Sequence, residues 1–369
     1  MNERAKPTIV ASPKDITAQY LTDVLRYADI DATVTSFTAS SVGTGQVGQN
    51  VRFELSYATP APTNAPATIV GKFTSDDPVS RETGKALLNY LREVKFYNEL
   101  RESLDVQTPK LLFTDINEDT HDFVLMMEDL APAQQGNQLE GCSVAEVKLG
   151  LTELARLHGP RWADPSLYDY EWIGRPDQEA DATVAGLYSQ LYPGYIDRYG
   201  HRLSAEQKTM GQTLGERFTA YVAANRAAEA RLTIVHGDYR LDNMMFGGPY
   251  PVAVVDWQSP TIGSGGQDLA YWVGTSLDPA IRRQHDRELV EHYFTALSAY
   301  SIGDYSLDDC WRDYRHFAFA GWNMAVIASM IVGQTDRGDD MFMAMATRSA
   351  QMALDLNSLD ALNDSQHSA

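Results

Sequence analysis

The segment Val235–Asp256 carries the side chains with the clearest chemical potential in this sequence; it reads V-H-G-D-Y-R-L-D-N-M-M-F-G-G-P-Y-P-V-A-V-V-D. Asp238 and Asn243 stand five residues apart, and an apolar run, Val252–Val255, leads directly to Asp256. A carboxylate can accept the proton of a hydroxyl group, and Asn and Asp oxygens are ligands that Mg²⁺ prefers. This combination favours transfer of a phosphoryl group from a nucleotide to a hydroxyl.

Composition narrows the classes of partner. The chain has 369 residues, which is enough to bury a substantial core and to form two lobes. Hydrophobic residues at 44% and charged residues at 22% are typical of a folded globular protein. The formal net charge, 30 − 50 = −20, disfavours binding to nucleic acid or to an anionic membrane. It suits a cationic small substrate, but a general need for solubility also explains the charge and is the favoured explanation.

Cysteine usage and the apolar segments predict a cytoplasmic protein. Cys142 and Cys310 are too few for a disulfide framework, which suggests a reducing compartment. The first residues, M-N-E-R-A-K-P-T, lack the apolar core of a signal peptide. Phe317–Val332 is apolar but shorter than the roughly 20 residues of a membrane span, and it contains Asn323 and Ser329. We expect a buried helix there.

The first third of the chain reads as strands with one long helix. Apolar and polar residues alternate over Val51–Tyr57, which is typical of a half-buried strand. The proline-rich run Thr59–Thr68 predicts a hairpin loop before a second strand over Thr68–Phe73. A helix is expected from about residue 80 to residue 100, and a strand over Phe123–Met127.

The pattern becomes helical from about Ser143, where a helix is predicted that His158-Gly159-Pro160 ends. Strand signals beyond this point surround the opening segment; they are Leu232–Val235, Met244–Phe246 and Val252–Val255. We therefore predict an α+β fold with a cleft between two lobes. Residues 1–127 form the first lobe, 128–137 a hinge that includes A-P-A-Q-Q-G-N, and 138–369 the second lobe.

Three stretches together resemble one superfamily: H-G-D-Y-R-L-D-N, V-V-D-W-Q and Q-D-L-A-Y-W. They look like the motifs of the aminoglycoside phosphotransferase and choline kinase-like small-molecule kinases, and most of all those of bacterial phosphotransferases related to ecdysteroid kinases. The resemblance is strong over Val235–Tyr271 and diffuse elsewhere, from about Val42. It implies a bilobal, protein-kinase-like fold, with an N-terminal β-sheet lobe containing one long helix and a mainly helical C-terminal lobe.

The resemblance also implies roles for residues of the motif. Asp238 would be the catalytic base that orients the acceptor hydroxyl and takes its proton late. Asn243 and Asp256 would hold the Mg²⁺ ions that bridge the phosphates of ATP. His236 would brace the backbone as a buried structural histidine. Asp268, 12 residues after Asp256, would accept hydrogen bonds from the loop that carries Asp238.

Arg240 has two interpretations. Two residues after the base, a guanidinium could stabilise the charge that develops on the transferred phosphoryl group. It could equally form a local ion pair with Asp242. The sequence does not decide between them.

Nucleotide-binding residues are implied in the first lobe. Gly43, Gly45 and Gly48 fit G-x-G-x-x-G and precede alternating strand residues, which favours a phosphate-covering hairpin, although a plain turn also fits. Lys72 would contact the α- and β-phosphates, or it is simply an exposed strand lysine. Its expected partner is a glutamate of the next helix, Glu93, with Glu99 as the second choice.

The segment around Met126–Leu130, with Met127 and Glu128 at its centre, would bind adenine through backbone groups. Only W-Q-S-P-T-I-G-S-G-G-Q separates Asp256 from Asp268, too little for the activation segment of a protein kinase, and Gly237 follows the loop histidine. We therefore predict an ATP- and Mg²⁺-dependent kinase of a small hydroxylated molecule. A nucleotide-binding pseudokinase scaffold and, less favoured, a protein kinase are the alternatives. The acceptor (a sterol, polyketide, aminoglycoside, sugar or hydroxyacyl compound), the preference for ATP or GTP and the oligomeric state are not readable.

Overall fold

The structure is a computed structural model that describes residues 5–43, 48–227 and 231–364. The described residues form two compact units. The first unit lies within Met1–Glu102, Thr108–Pro132 and Val255–Ser259, and the second within Ser103–Gln107, Ala133–Val254 and Pro260–Ala369. The short return of the chain at Val255–Ser259 makes Asp256 part of the first unit.

A five-stranded antiparallel sheet, in the order β1-β2-β3-β5-β4, organises the first unit. Its strands are β1 Val34–Ser41, β2 Gly48–Tyr57, β3 Thr68–Thr74, β4 Leu111–Ile116 and β5 Phe123–Glu128. Helix α1, Ala18–Tyr27, packs its apolar side on one face of the sheet. The predicted strands over Val51–Tyr57, Thr68–Phe73 and Phe123–Met127 are confirmed. Alternating apolar residues bury one face of β2, whereas the apolar run Phe123–Met127 of β5 is buried throughout.

The single helix expected over residues 80–100 is wrong in one respect, because the structure interrupts it. Helix α2, Pro78–Ala86, ends before Leu88, which adopts a left-handed φ of 58°, and helix α3, Asn89–Lys95, follows. A π-helical turn, Phe96–Leu100, continues from α3. Apolar spacing suggested continuity across the break, yet Leu87 is 48% exposed.

Helices dominate the second unit. They are α4 Val144–His158, α5 Gln178–Tyr199, α6 Ala205–Glu216, α7 Phe218–Ala227, α8 Gly265–Ser276, α9 Pro279–Leu297, α10 Leu307–His316, α11 Ala320–Ile331, α12 Asp336–Asp355 and α13 Ser358–Asp364. The end of α4 at His158 and the predicted α+β class are confirmed. The apolar segment Phe317–Val332 forms a 3₁₀ turn and α11. Across the described ranges, no helix has the length and apolar character needed to cross a membrane.

Two small antiparallel sheets of the second unit flank the opening motif. One has the order β6-β8-β9 and the other pairs β10 with β7. Their strands are β6 Gln134–Gln135, β7 Leu232–Val235, β8 Met244–Phe246, β9 Val252–Val254 and β10 Thr261–Ser264. The sequence did not predict β6 or β10, since two residues and a glycine-containing T-I-G-S run give no alternation to detect.

Close packing of α4 on α8 leaves no room for a side chain at Gly150. A Cβ atom there would lie 2.5 Å from Cζ2 of the fully buried Trp272. The carbonyl of Gly150 accepts a hydrogen bond from the Tyr239 hydroxyl at 2.7 Å. Trp272 Nε1 donates to the Val147 carbonyl at 3.0 Å. The glycine thus lets α4 approach the residues that support the motif.

We expect Gly150→Ala to lower the melting temperature, although alanine has the higher helix propensity, because overpacking a core costs about 1–3 kcal/mol. Gly186→Ala in α5 is the matched control: no atom lies within 4 Å of its Cβ position, so we expect a gain of about 0.5–1 kcal/mol. Thermal unfolding followed by circular dichroism compares the two. Equal melting temperatures for both variants would contradict the packing described.

Candidate active site

The turn between β7 and β8 brings Asp238 and Asn243 together. We call residues 236–243 the aspartate loop; it ends in a 3₁₀ turn, Leu241–Asn243, that leads into β8. Asn243 Nδ2 donates to the Asp238 backbone carbonyl at 2.8 Å and to Asp238 Oδ2 at 2.9 Å. Because the amide nitrogen is used twice, the carbonyl oxygen is the atom of Asn243 left to bind a cation.

Two further donors hold the Asp238 carboxylate. Arg240 Nε donates to Oδ1 at 3.0 Å, and the Tyr271 hydroxyl donates to the same oxygen at 2.8 Å. The Asp238 side chain is nevertheless 23% exposed. The carboxylate is therefore fixed in direction while it stays open to solvent.

Tyr271 is a site residue that the sequence analysis missed. Burial and the adjacent Asp238 charge raise the pKa of Tyr271 well above its ordinary value, so the phenol stays protonated and can only donate to the carboxylate. Tyr271 stands three residues after Asp268 on α8. Residues at that spacing share one side of a helix, so this signal could have identified it.

Arg240 lies between two carboxylates, Asp238 and Asp242. Its Nη1 donates to Asp242 Oδ2 at 2.8 Å and contacts Met341 Sδ at 3.3 Å. Burial alone would lower the pKa of Arg240, but Asp238 and Asp242 more than offset this and raise it. Arg240 thus forms the ion pair with Asp242 and is hydrogen-bonded to Asp238 at the same time.

A fully buried carboxylate, that of Asp268, anchors the start of the aspartate loop. It accepts the backbone N–H of His236 at 2.6 Å and that of Gly237 at 3.1 Å. Gly237 has a φ of 79°, which places its N–H toward the carboxylate without strain. His236 Nδ1 in turn accepts the backbone N–H of Asp238 at 3.2 Å. These hydrogen bonds set the path of the chain at Asp238.

Gln138 is a second residue that the sequence analysis missed. It is fully buried, and its Oε1 accepts the Leu241 N–H at 3.0 Å while its Nε2 donates to the Thr275 carbonyl at 2.8 Å. Its backbone N–H donates to Asp242 Oδ1 at 3.0 Å. A single glutamine in a loop carries no sequence signal for this role, which supports the aspartate loop from its far end.

In the first unit, Lys72 lies between two carboxylates. Its Nζ is 2.7 Å from Glu93 Oε2 and 2.8 Å from Asp256 Oδ1, and the residue is 7% exposed. Burial lowers the pKa of Lys72, but the charges of Asp256 and Glu93 outweigh it and raise the pKa overall. Glu99, the second choice, pairs instead with Lys95. Lys72 is thus a buried cation and not an exposed strand lysine.

The segment that carries Asp256 is fixed by its neighbours. Asp256 adopts a φ of 66°, a conformation that is uncommon outside glycine and is best tolerated by Asp and Asn. Trp257 stacks on Phe96 with ring centroids 3.9 Å apart. Gln258 Nε2 donates to Glu93 Oε2 at 3.2 Å. The Asp256 side chain remains 38% exposed, so it keeps room for a further ligand.

The other residues expected to contact the nucleotide belong to the first unit. Gly45 lies outside the described residues. Gly43 has a φ of 75°, and Gly48 begins β2, where a Cβ would lie 3.1 Å from the Phe73 carbonyl oxygen. Met127 and Glu128 end β5, and the Glu128 N–H donates to the Lys110 carbonyl at 2.9 Å. That N–H is therefore already engaged.

The model of the ecdysteroid kinase-like family matches residues 47–302, well over half of the chain. The chain belongs to the ecdysteroid kinase-like family. This membership confirms the predicted resemblance to phosphotransferases related to ecdysteroid kinases. A curated relative, acyl-CoA dehydrogenase family member 10 from Mus musculus, is 31% identical over a 121-residue alignment that covers 28% of this chain. The alignment spans only 11% of that mouse protein.

Solved structures share the fold of this ecdysteroid kinase-like chain. Choline kinase from Cryptosporidium parvum Iowa II has a TM-score of 0.54 at 11% identity, covering 96% of this chain and 94% of its own. Plasmodium vivax ethanolamine kinase has a TM-score of 0.51 at 13% identity, with coverages of 89% and 87%. The GDP complex of aminoglycoside 2'-phosphotransferase-IIIa has a TM-score of 0.51 at 14% identity, with coverages of 91% and 99%. The kinase-like fold predicted from the sequence is thereby confirmed.

We expect Asp268→Asn to loosen the aspartate loop. The neutral amide is a weaker acceptor than the carboxylate and turns an NH₂ group toward one of the two backbone donors, at a cost of about 1–3 kcal/mol. Hydrogen–deuterium exchange should become faster in a peptide that contains His236 and Gly237. Asp308→Asn, an exposed position in α10, is the control. Unchanged exchange in Asp268→Asn would mean that another group holds the loop.

Proposed function

We propose that this protein is a kinase that transfers the γ-phosphoryl group of ATP to a hydroxyl of a small organic molecule by direct in-line transfer, with Mg²⁺. The observation that carries the proposal is the convergence of Arg240, Asn243 and Tyr271 on the Asp238 carboxylate. A carboxylate held in one direction yet open to solvent suits a group that must meet an incoming hydroxyl. The GDP complex of a structural relative supports nucleotide use.

Asp238 is the proposed base. The acceptor hydroxyl donates to its carboxylate, the acceptor oxygen attacks the γ-phosphorus, the bond to the β-phosphate oxygen breaks, and Asp238 takes the hydroxyl proton late. Positioning and electrostatic stabilisation together supply most of the rate acceleration in this chemistry. Arg240, already beside Asp238, is suited to stabilise negative charge on the transferred group. His236 and Asp268 are positioning residues, because they hold backbone and not reactants.

Lys72 is proposed to contact the α- and β-phosphates. Glu93 and Asp256 keep it charged and directed, and Glu93 is itself held by Gln258. A buried ammonium that has one partner on the strand-facing helix α3 is pre-oriented before nucleotide arrives. Gly43, Gly45 and Gly48 are proposed to cover the phosphates with backbone groups.

The donor set fits Mg²⁺. Asn243 and Asp256 would hold it through oxygen atoms, the ligands that this cation prefers. Among the described residues, no group of three or more His, Cys, Asp or Glu side chains could hold a metal ion by itself. Mg²⁺ usually takes one or two protein ligands and completes its shell with substrate phosphates and water. When bound, it would neutralise phosphate charge as the bond to the leaving group breaks.

We expect Asp238→Asn to abolish phosphoryl transfer, with a loss of about 10²–10⁴-fold in kcat, while ATP affinity stays close to that of the wild type. Asparagine keeps the size and can still accept hydrogen bonds from Arg240 and Tyr271, but it cannot take a proton. Mass spectrometry of a reaction with ATP, Mg²⁺ and a pooled library of hydroxylated small molecules measures the gain of one phosphoryl group.

Asp340→Asn, at an exposed aspartate that pairs with Arg202, is the control and should react like the wild type. Full activity in Asp238→Asn would refute the base assignment. Tight ATP binding with no labelled acceptor in any library would favour the pseudokinase alternative. Transfer of label from ATP to proteins of a cell extract, but not to small metabolites, would favour a protein kinase.

We expect Asp256→Asn to weaken ATP binding roughly tenfold or more in the presence of Mg²⁺, which corresponds to about 1.4 kcal/mol. Asparagine tolerates the positive φ, so the loss reports the missing carboxylate charge and not a changed backbone. Calorimetry with Mg²⁺ and with EDTA separates the two conditions. Asp119→Asn, an exposed position of the same unit, is the control. An equal loss in EDTA would contradict a metal role.

A further inference from the structure

The sheet of the first unit has two unlike faces. Side chains at Val51, Phe53, Ile69, Phe73, Val124 and Met126 belong to the apolar core that α1 covers. Because successive side chains of a strand point to opposite faces, the residues between them lie on the other face. These are Arg52, Val70, Lys72, Leu125 and Met127. Lys72 therefore shares a face with a second cation, Arg52, that the proposed reaction does not use.

Strand register orders this second face into rows. Lys72 pairs with Asn50 and Leu125, so these three residues form one row. The next row, two residues along each strand, consists of Arg52, Val70 and Met127. Two residues of a strand span about 6.6 Å. Arg52 and two apolar side chains thus lie one short step from the lysine.

Asp129, which follows β5 directly, fixes the Arg52 guanidinium. Arg52 Nε donates to Asp129 Oδ2 at 2.6 Å, and Nη2 donates to Oδ1 at 2.9 Å. The Asp129 side chain is 4% exposed, and Oδ1 also accepts the Ala131 N–H at 3.0 Å. Burial would raise the pKa of Asp129, but the hydrogen bonds from Arg52 outweigh it and lower the pKa. The bidentate pair locks the plane of the guanidinium.

The Arg52 side chain keeps 34% of its surface exposed, and its Nη1 donates no hydrogen bond within the described residues. An arginine with a planar, weakly hydrated guanidinium stacks well on an aromatic ring. A buried carboxylate paired in this way adds little net stability, because desolvation cancels most of the attraction. The pair therefore orients the guanidinium and leaves its exposed part available to a ligand.

We propose that Arg52, positioned by Asp129, stacks its guanidinium on the purine base of the nucleotide, with Val70 and Met127 as apolar contacts. The proposal rests on the proposed function, because phosphates at Lys72 direct the rest of a nucleotide along this face. In this arrangement the sugar lies between the row of Lys72 and the row of Arg52, and the base contacts the row of Arg52. Arg52 then determines affinity for the base, and Asp129 is a positioning residue.

The test compares Mg–ATP with Mg–tripolyphosphate, which has the phosphates but no base. Arg52→Lys keeps the charge and an ion pair with Asp129 but removes the planar group. We expect ATP affinity to fall roughly tenfold, in the range that a desolvated cation–π contact supplies, while tripolyphosphate affinity stays at the wild-type value. Lys72→Met should lower the affinity for both ATP and tripolyphosphate. Isothermal titration calorimetry measures the dissociation constants of both ligands for the wild type and the two variants.

Two further variants distinguish a base contact from a purely structural effect. The double variant Arg52→Met/Asp129→Asn removes both charges, so no carboxylate is left buried and unpaired. Thermal unfolding checks that this variant folds, and we expect it to show the same selective loss of ATP affinity. Arg26→Lys, at an exposed arginine of α1 that pairs with Asp31, should bind both ligands like the wild type.

Unchanged ATP affinity in Arg52→Lys would overturn the base contact and leave the proposed function intact. An equal loss for ATP and tripolyphosphate would also overturn it, because Arg52 would then act on the phosphates or on the fold. A wild-type protein that binds neither ligand would overturn the proposed function together with this inference.

Discussion

The Asp268 carboxylate, fully withdrawn from solvent, is the constraint on which the aspartate loop depends. Burying a carboxylate is costly unless strong hydrogen bonds satisfy it, and here two backbone N–H groups, of His236 and Gly237, do so. The backbone at the start of the loop is therefore fixed by its hydrogen bonds to this charge, which also has the His158 ring nitrogen Nε2 at 3.5 Å from Oδ2. The ring of His236 then accepts the Asp238 N–H, so the position of the reactive side chain follows from the anchor.

Helix α8 fixes the position of the Asp268 carboxylate relative to the Asp238 carboxylate. Asp268 and Tyr271 lie one turn apart on this helix, and the first holds the backbone of the loop while the second holds the Asp238 carboxylate. The packing of α4 against α8, possible because position 150 is glycine, keeps the helix in place. Gln138 supplies the remaining support at the far end of the loop. A shift of α8 would thus move both contacts together.

The fold class, most strands and the residue types of the candidate site could be predicted from the sequence, because they depend on local patterns. Alternation identified β2, a short apolar run identified β5, and the spacing of Asp238, Asn243 and Asp256 identified the candidate chemistry. It missed the break at Leu88, since a left-handed residue between two helical segments leaves the apolar spacing nearly unchanged. It missed Gln138, and read Arg52 only as a polar residue of a strand, because their partners lie far away in the sequence. Pairings across about 77 to 137 residues of chain are properties of the tertiary fold, and no local pattern encodes them.

The cluster around Arg240 has a consequence for the behaviour of the protein in salt. Arg240 and Asp242 have side-chain exposures of 16% and 7%, so dissolved ions approach them poorly. Arg337, at 47% exposure and 3.5 Å from Asp242, is open to those ions. Screening acts on exposed charges much more than on buried ones. Rising ionic strength therefore weakens the contact between Arg337 and Asp242 first and leaves the Arg240 guanidinium bound to Asp242, so the orientation of Arg240 depends little on the ionic composition of the solvent.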